Sequence, residues 1–154
     1  MDSNVGKEVL QYLFIEYEKD ANRDYDIAPM VKRKGLDPIE VANNLYSTGF
    51  IKQPTLGIRV MCGITLFGIT RVKPEYVHQR AMQILHELAS GGSGNGDIIE
   101  ILGYGSNEYI KAMEIAEDMK YRALIDFGFR TASENSLQVS LTQKGWDLAR
   151  GLKY

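Results

Sequence analysis

Apolar side chains near the N terminus recur at helical spacing. Val9, Leu13 and Tyr17 stand four residues apart, while glutamates and lysines fill the opposite side of the same stretch. Residues four apart lie on one face of a helix, so this pattern predicts an amphipathic helix. We expect the helix to end near Asp20.

Start and stop signals predict two further helices. Asp26 can accept a hydrogen bond from the first backbone N–H groups of a short helix that extends to Lys34. A third helix has a clearer beginning, because Asp37 can cap it and Pro38 suits its first position, where no N–H is needed. Gly49 adopts positive φ without strain and is expected to end this helix.

After the third helix, the apolar residues no longer recur at helical spacing but at every second position. Leu56, Ile58 and Val60 alternate with other residues, which is typical of a strand. The chain is then expected to return through Ile64 toward Thr70 as a second strand. The first half is therefore predicted to contain three helices followed by a β-hairpin.

The second half shows the same order of patterns. A long helix over 74–89 opens it and connects the two halves. Residues 91–96 are rich in glycine and predict a flexible loop. Two helices are expected to follow, over 98–104 and 107–122.

A hairpin and a final helix complete the second half. Phe127 and Phe129 alternate on one strand, residues 133–135 are expected to turn, and Val139 lies on the returning strand. Thr142 can cap a last helix. The predicted fold class is therefore mostly α with small β-hairpins, that is, α+β.

An internal similarity relates the two halves. Residues 40–51 align without gaps on 114–125, with three identical positions and three exchanges between apolar residues. Three aligned blocks in the same order favour a duplicated unit over the chance similarity of amphipathic helices. The other two blocks, at an offset of 72, pair 9–13 with 81–85 and 69–70 with 141–142.

The last of these blocks carries a resemblance to a known family. Three helices and a hairpin whose second strand ends in Leu-Thr-Gln-Lys-Gly, at 141–145, resemble the winged-helix superfamily, in which this kind of run leads from the wing into a helix. The resemblance covers nearly the whole chain and implies two tandem winged-helix modules, 1–73 and 74–154. The boundary is expected within the connecting helix 74–89.

The first half departs from the motif at the end of its hairpin. Aligned at the offset of 72, Lys73 and Pro74 stand where the second half has Gly145 and Trp146. The resemblance therefore does not predict how the first half passes from strand to helix.

The resemblance also implies a DNA-binding surface. In winged-helix proteins that bind DNA, the third helix enters the major groove and the wing touches the backbone or the minor groove. In the first half, short polar side chains of the third helix would meet base edges, and cations around it would neutralise phosphates. The candidate nucleic-acid-binding residues are Lys32, Arg33, Lys34, Asn43, Asn44, Ser47, Lys52 and Arg59.

The charge balance keeps a second interpretation open. The chain has 18 basic and 20 acidic side chains, a net charge of -2, so no overall positive field draws it to nucleic acid. The third helix of the second half carries Glu108, Glu114, Glu117 and Asp118 against Lys111, Lys120 and Arg122, a balance that repels phosphates. The alternative function is a protein-interaction scaffold, with a protein partner or a second copy bound through the second half and the apolar wing.

Candidate catalytic and metal sites lack essential members. Asp20, Asn22 and Asp24 have calcium-loop spacing, but the residues that follow do not continue the motif. His78 and His86 are eight residues apart on one helix, not the three or four that let two rings share a metal ion. Cysteine and glycine motifs for nucleophiles or nucleotides are also incomplete. We therefore predict no enzyme activity, metal or cofactor.

The remaining composition favours a cytoplasmic protein. The chain begins without a basic or apolar leader, and it has no run of 18 apolar residues, so neither a signal peptide nor a membrane span is predicted. The single Cys62 cannot form an internal disulfide and fits a reducing compartment.

Overall fold

The protein forms two compact units. The computed structural model describes residues 3–128 and 136–151. The chain divides into an N-terminal unit, Met1–Tyr76, and a C-terminal unit, Val77–Tyr154. Both are mostly helical with small antiparallel sheets, which confirms the predicted fold class.

The N-terminal unit contains four helices and a two-stranded sheet. Its elements are α1 (Ser3–Lys19), β1 (Tyr25–Asp26), α2 (Ala28–Arg33), α3 (Pro38–Ser47), β2 (Met61–Cys62) and α4 (Leu66–Val72). β1 and β2 pair antiparallel. Isolated bridges between Ile51 and Ile64 and between Thr55 and Met61 extend the pairing into a hairpin.

Local signals explain the first three helices. The α1 residues predicted to face the core, including Val9 and Leu13, are buried. Asp37 caps α3, since its carboxylate accepts a 3.0 Å hydrogen bond from the Ile39 backbone N–H. Gly49 has a φ of +83° just after α3. The three predicted helices are therefore confirmed.

The prediction of two alternating strands in the first half is wrong. Residues 56–59 form no strand, and Leu56 and Ile58 are exposed while Val60 is buried. The segment expected to return as a strand toward Thr70 is the helix α4. The Thr65 hydroxyl caps α4 by accepting a 3.0 Å hydrogen bond from the backbone N–H three residues on, so a local cap outweighs the short alternation.

The C-terminal unit has a longer set of elements and a three-stranded sheet. Its elements are α5 (Tyr76–Ser90, whose first residue ends the N-terminal unit), β3 (Asn95–Asp97), α6 (Ile98–Leu102), a 3-10 turn (Ser106–Glu108), α7 (Tyr109–Tyr121), β4 (Ile125–Phe127), β5 (Gln138–Leu141) and α8 (Gln143–Gly151). The antiparallel strand order is β3-β5-β4. The predicted helices and the described ends of the predicted hairpin are confirmed; Phe129 and the turn at 133–135 lie outside the described residues.

The predicted flexible loop at 91–96 is wrong in its second part. Asn95 and Gly96 belong to β3, which pairs with β5. Gly94, with a φ of +73°, lies so close to the Trp146 ring that a Cβ there would stand 2.7 Å from it. Packing against a distant aromatic ring therefore orders part of a segment whose composition is that of a loop.

An aspartate makes the same pair of contacts in each unit. Asp26 Oδ1 accepts hydrogen bonds from the backbone N–H two residues on (3.0 Å) and from the Val60 N–H (3.0 Å). Asp97 Oδ1 accepts from the N–H two residues on (3.0 Å) and from the Leu137 N–H (2.9 Å). In each unit one carboxylate therefore ties the start of the second helix to the hairpin.

A threonine also makes the same contacts in each unit. Thr65 donates a 2.6 Å hydrogen bond to the Gly49 carbonyl oxygen, and Thr142 donates one of 2.6 Å to the Ala123 carbonyl oxygen. Each hydroxyl accepts a 3.0 Å bond from the glycine three residues on. The Thr-x-x-Gly run of the second half therefore has its counterpart at 65–68. The aligned pair 69–70 with 141–142 is therefore wrong, and Lys73 and Pro74 are not the counterparts of Gly145 and Trp146.

Candidate nucleic-acid interface

The outward face of α3 is polar along its centre. Successive helical residues are about 100° apart, so side chains at intervals of three and four share a face. Glu40, Asn43 and Ser47 are exposed on the face opposite the core. The residues that anchor the inner face are Pro38, Val41, Ala42 and Leu45.

Two larger side chains border this face and were missed in the sequence. Ile39 is 39% exposed and Tyr46 is 46% exposed. They are seven residues apart and therefore lie one above the other, within about 20° around the helix. Their positions on the helical pattern, off the buried stripe, were the available signal.

Hydrogen bonds orient the C-terminal end of this face. The Ser47 hydroxyl donates a 3.0 Å bond to the Asn44 carbonyl oxygen, and Thr48 donates one of 3.1 Å to the same oxygen. The Ser47 oxygen is then left with acceptor capacity toward solvent. Asn44, predicted to meet bases, is only partly exposed and lines a shallow depression with Asp37 and Glu40.

Three predicted phosphate contacts lie at the end of α2. Lys32 and Arg33 are its last two residues, Lys34 follows, and all three are exposed. The Lys34 ammonium is 3.2 Å from the Glu8 carboxylate. Exposed ion pairs contribute only about 0 to 1 kcal/mol, so this pair opens at low cost.

The hairpin of the N-terminal unit carries the other two predicted cations. Thr55 and Met61 exchange two backbone hydrogen bonds of 3.0 Å and close the loop that contains Arg59. Lys52 lies on the first arm, and both cations are exposed. At the tip, Ile58 is 95% exposed. All eight predicted contact residues thus lie in one unit, on α2, α3 and the hairpin.

The third helix of the C-terminal unit differs from its sequence-based prediction in one respect. Lys111, expected among the displayed charges, is only 3% exposed. Its ammonium lies 3.0 Å from the Glu108 carboxylate and 5.4 Å from the centre of the Tyr104 ring. A backbone hydrogen bond from Gly105 and the bond from Lys111 lower the pKa of Glu108. The ring and the carboxylate together compensate for burying the ammonium.

The cations at the C-terminal end of α7, Lys120 in its last turn and Arg122 just after it, also contact carboxylates. Arg122 lies 3.1 Å from Asp118, and Lys120 lies 3.3 Å from Asp126. The positive charge at this end of the helix is therefore partly compensated by carboxylates.

Cys62 and Asp20 belong to the candidate reactive and metal-binding motifs that are incomplete in the sequence. Cys62 is buried, and burial, aided by Asp24 and Asp26, raises the pKa of its thiol to about 12. The Asp20 carboxylate accepts a 2.9 Å bond from the Asn22 backbone N–H, as the cap of a loop. Among residues 3–128 and 136–151, no group of three or more His, Cys, Asp or Glu side chains is placed to hold a metal ion. Nor does the described part of the chain contain a helix long and apolar enough to cross a membrane.

Comparison with known proteins gives little similarity. No protein-family model matches the sequence, and no curated protein matches it. A similar solved structure is the apo form of a mutant ZitR from Lactococcus lactis, with 20% sequence identity and a TM-score of 0.38. The similarity covers 57% of this chain and 64% of ZitR, less than two thirds of that protein.

Proposed function

We propose that the protein is a non-enzymatic, cytoplasmic DNA-binding protein of the transcription-regulator type. In this proposal the N-terminal unit is a winged-helix module that inserts α3 into the major groove of duplex DNA. The hairpin that contains Arg59 is its wing. The C-terminal unit is a second module, with the boundary between 1–73 and 74–154 near the start of α5.

The order of elements supports this assignment. Each unit runs helix, strand, two helices and hairpin, and then enters another helix. The paired contacts of Asp26 and Asp97, and of Thr65 and Thr142, support descent of both units from one duplicated segment. Identical side-chain roles at both places are expected of copies and are rarely produced by helical pattern alone.

One observation carries the DNA-binding proposal. The exposed face of α3 presents hydrogen-bonding groups at its centre, and exposed cations lie both before α3 and in the hairpin after it. Base edges are read by polar side chains, while phosphates are held by cations, so this distribution matches the two kinds of contact that duplex DNA requires.

A second candidate function is supported by the C-terminal unit. The cations of α7 contact carboxylates, whereas Tyr121 is 91% exposed and Leu148 is 44% exposed. Exposed aromatic side chains are enriched in protein interfaces. This unit would bind a protein partner or a second copy of the chain, together with the exposed Ile58 of the wing.

Paired charge variants test the first proposal. The double variant Lys32→Ala/Arg33→Ala should weaken binding to a fluorescent duplex about tenfold or more at low salt, since two phosphate contacts are lost. The matched control, Lys120→Ala/Arg122→Ala, removes the same charge from the C-terminal unit and should change affinity less than threefold, or about 0.6 kcal/mol. Equal effects of the two variants would show that only net charge matters.

A further inference from the structure

The α3 helix lacks the side chains that read guanine. In the major groove guanine presents only acceptors, N7 and O6, and arginine or lysine is the usual donor to them. None of the ten residues of α3, Pro38–Ser47, is basic. A guanine at the centre of the α3 footprint therefore has no cationic partner on this helix.

The outward groups of α3 are mainly acceptors. The Glu40 carboxylate can only accept, and the Ser47 hydroxyl already donates to the Asn44 carbonyl oxygen at 3.0 Å. Base amino groups are the donors available to them in the major groove, on adenine N6 and cytosine N4. Facing guanine instead, the Glu40 oxygens would meet O6 and N7 with no proton between them, which is repulsive.

Asn43 and the apolar border add a preference for A·T pairs. An asparagine amide can donate to adenine N7 and accept from adenine N6 at once. Asn43 is exposed at the centre of the face, one turn from Tyr46 and from Ile39. The Ile39 side chain and the ring of Tyr46 can contact the C5-methyl group of thymine, which only an A·T pair carries.

We infer that α3 selects A·T-rich sites and discriminates against guanine on the strand that it reads. This inference rests on the proposed DNA binding. Asn43 reads adenine, Ile39 and Tyr46 contact neighbouring thymine methyl groups, and Glu40 disfavours guanine. The cations at 32–34, Lys52 and Arg59 supply affinity that does not depend on sequence.

Selection from a random duplex library tests the inference with the full chain. Duplexes retained at low salt should be enriched in a short A·T-rich core. In the selected site, replacing the adenine that Asn43 reads with guanine should lower affinity by about 5- to 150-fold, the range for one bidentate base contact. Asn43→Ala should reduce that ratio to about twofold or less.

Two further variants separate base reading from general binding. Lys32→Ala should weaken binding to both duplexes by the same factor. Glu40→Gln should strengthen binding to both, and should improve the guanine-containing duplex most at the position that Glu40 faces. Because Lys32, Glu40 and Asn43 are all exposed, each of the three variants should retain the folded state.

The outcomes distinguish a failure of the proposed base preference from a failure of the proposed DNA binding. Retained duplexes without base preference, or enriched in guanine at the core, overturn the inference and leave the DNA-binding proposal standing. If no duplex is retained at low salt, the DNA-binding proposal fails and the inference fails with it. In that case the face formed by Ile39, Asn43 and Tyr46 is to be assigned to a protein partner.

Discussion

The Asp26 carboxylate accepts a 3.0 Å hydrogen bond from the backbone N–H of Val60, 34 residues further along the chain. The same oxygen accepts a 3.0 Å bond from the Ala28 N–H at the first residue of α2. One side chain therefore fixes the helix that carries Lys32 and Arg33 against the hairpin that carries Arg59. The contact therefore helps to hold these cations in place relative to one another.

Removing this carboxylate should destabilise the N-terminal unit. Asp26→Ala leaves two backbone N–H groups without their acceptor, so the free energy of unfolding should fall by about 2 to 3 kcal/mol. Urea unfolding followed by circular dichroism measures this. Asp37→Ala is the control, since it removes only a local helix cap and should cost about 1 kcal/mol. Equal losses for the two variants would contradict the tethering role.

Two glycines of α8 should differ strongly in their tolerance of alanine. A Cβ at Gly145 would clash with the Leu124 carbonyl oxygen, whereas a Cβ at Gly151 would meet no atom of the described residues within 4 Å. Gly145→Ala should lower the free energy of unfolding by about 3 kcal/mol or more, because backbone must move. Gly151→Ala should change it by less than about 0.5 kcal/mol, since the site is open. Thermal unfolding of both variants measures the difference in stability. If Gly145→Ala is tolerated, the close approach of Gly145 to the Leu124 backbone is refuted.

Cys62 should be unreactive while the protein is folded. Burial raises the pKa of its thiol from the ordinary value of 9.0 to about 12, so the thiolate that reacts with alkylating reagents is scarce at pH 8. Iodoacetamide should label the native chain slowly and the urea-unfolded chain completely, as measured by mass spectrometry. Rapid labelling of the folded chain would show that the thiol is accessible.

The same pKa shift predicts a pH dependence of stability. The folded state holds the Cys62 thiol proton more tightly than the unfolded state does. The contribution of the protonated thiol to the free energy of unfolding is therefore complete below pH 9. It is lost progressively as the pH rises from about 9 to about 12. The free energy of unfolding should therefore fall more for the wild type than for Cys62→Ala across this interval. If the two curves of unfolding free energy against pH are parallel, the Cys62 thiol makes no such contribution.

Substitutions of two apolar residues of the wing should differ in their effect on the free energy of unfolding. Ile58 is 95% exposed, so Ile58→Ser should change the free energy of unfolding by less than about 0.5 kcal/mol. Ile64 is 2% exposed, and Ile64→Ala should cost about 2 to 5 kcal/mol. Analytical ultracentrifugation of Ile58→Ser adds a second readout. Conversion of an oligomer to a monomer would favour the protein-interaction function of the wing.

Local signals made the helices other than α4 predictable. The cap at Asp37, the glycine at position 49 and the stripe of Val9 and Leu13 are all encoded within a few neighbouring residues. These signals work because capping and helical periodicity require no knowledge of distant partners.

Elements that depend on distant partners were not predictable in the same way. β1 has two residues, and its pairing of Tyr25 with Cys62 joins segments far apart in sequence. The order within 91–96 depends on Trp146, and the burial of Lys111 depends on the ring of Tyr104. Two or three residues are too few to show a strand period, so only the folded chain brings such partners together.

The sequence indicated the short polar residues of the candidate site but not the two large side chains that border them. Asn43 and Ser47 follow from the exposed side of the helical pattern. Ile39 and Tyr46 were missed because large apolar residues on an amphipathic helix are usually assigned to the core.

The salt dependence of duplex binding is the sharpest test of DNA binding by the N-terminal unit. The full chain is titrated into a fluorescent A·T-rich duplex between about 50 and 200 mM salt. If three to five of the cations around α3 contact phosphates, the logarithm of the binding constant should fall with the logarithm of salt concentration at a slope of about -3 to -4.5. Absence of binding at the lowest salt, or a slope near zero, would contradict DNA binding by the N-terminal unit.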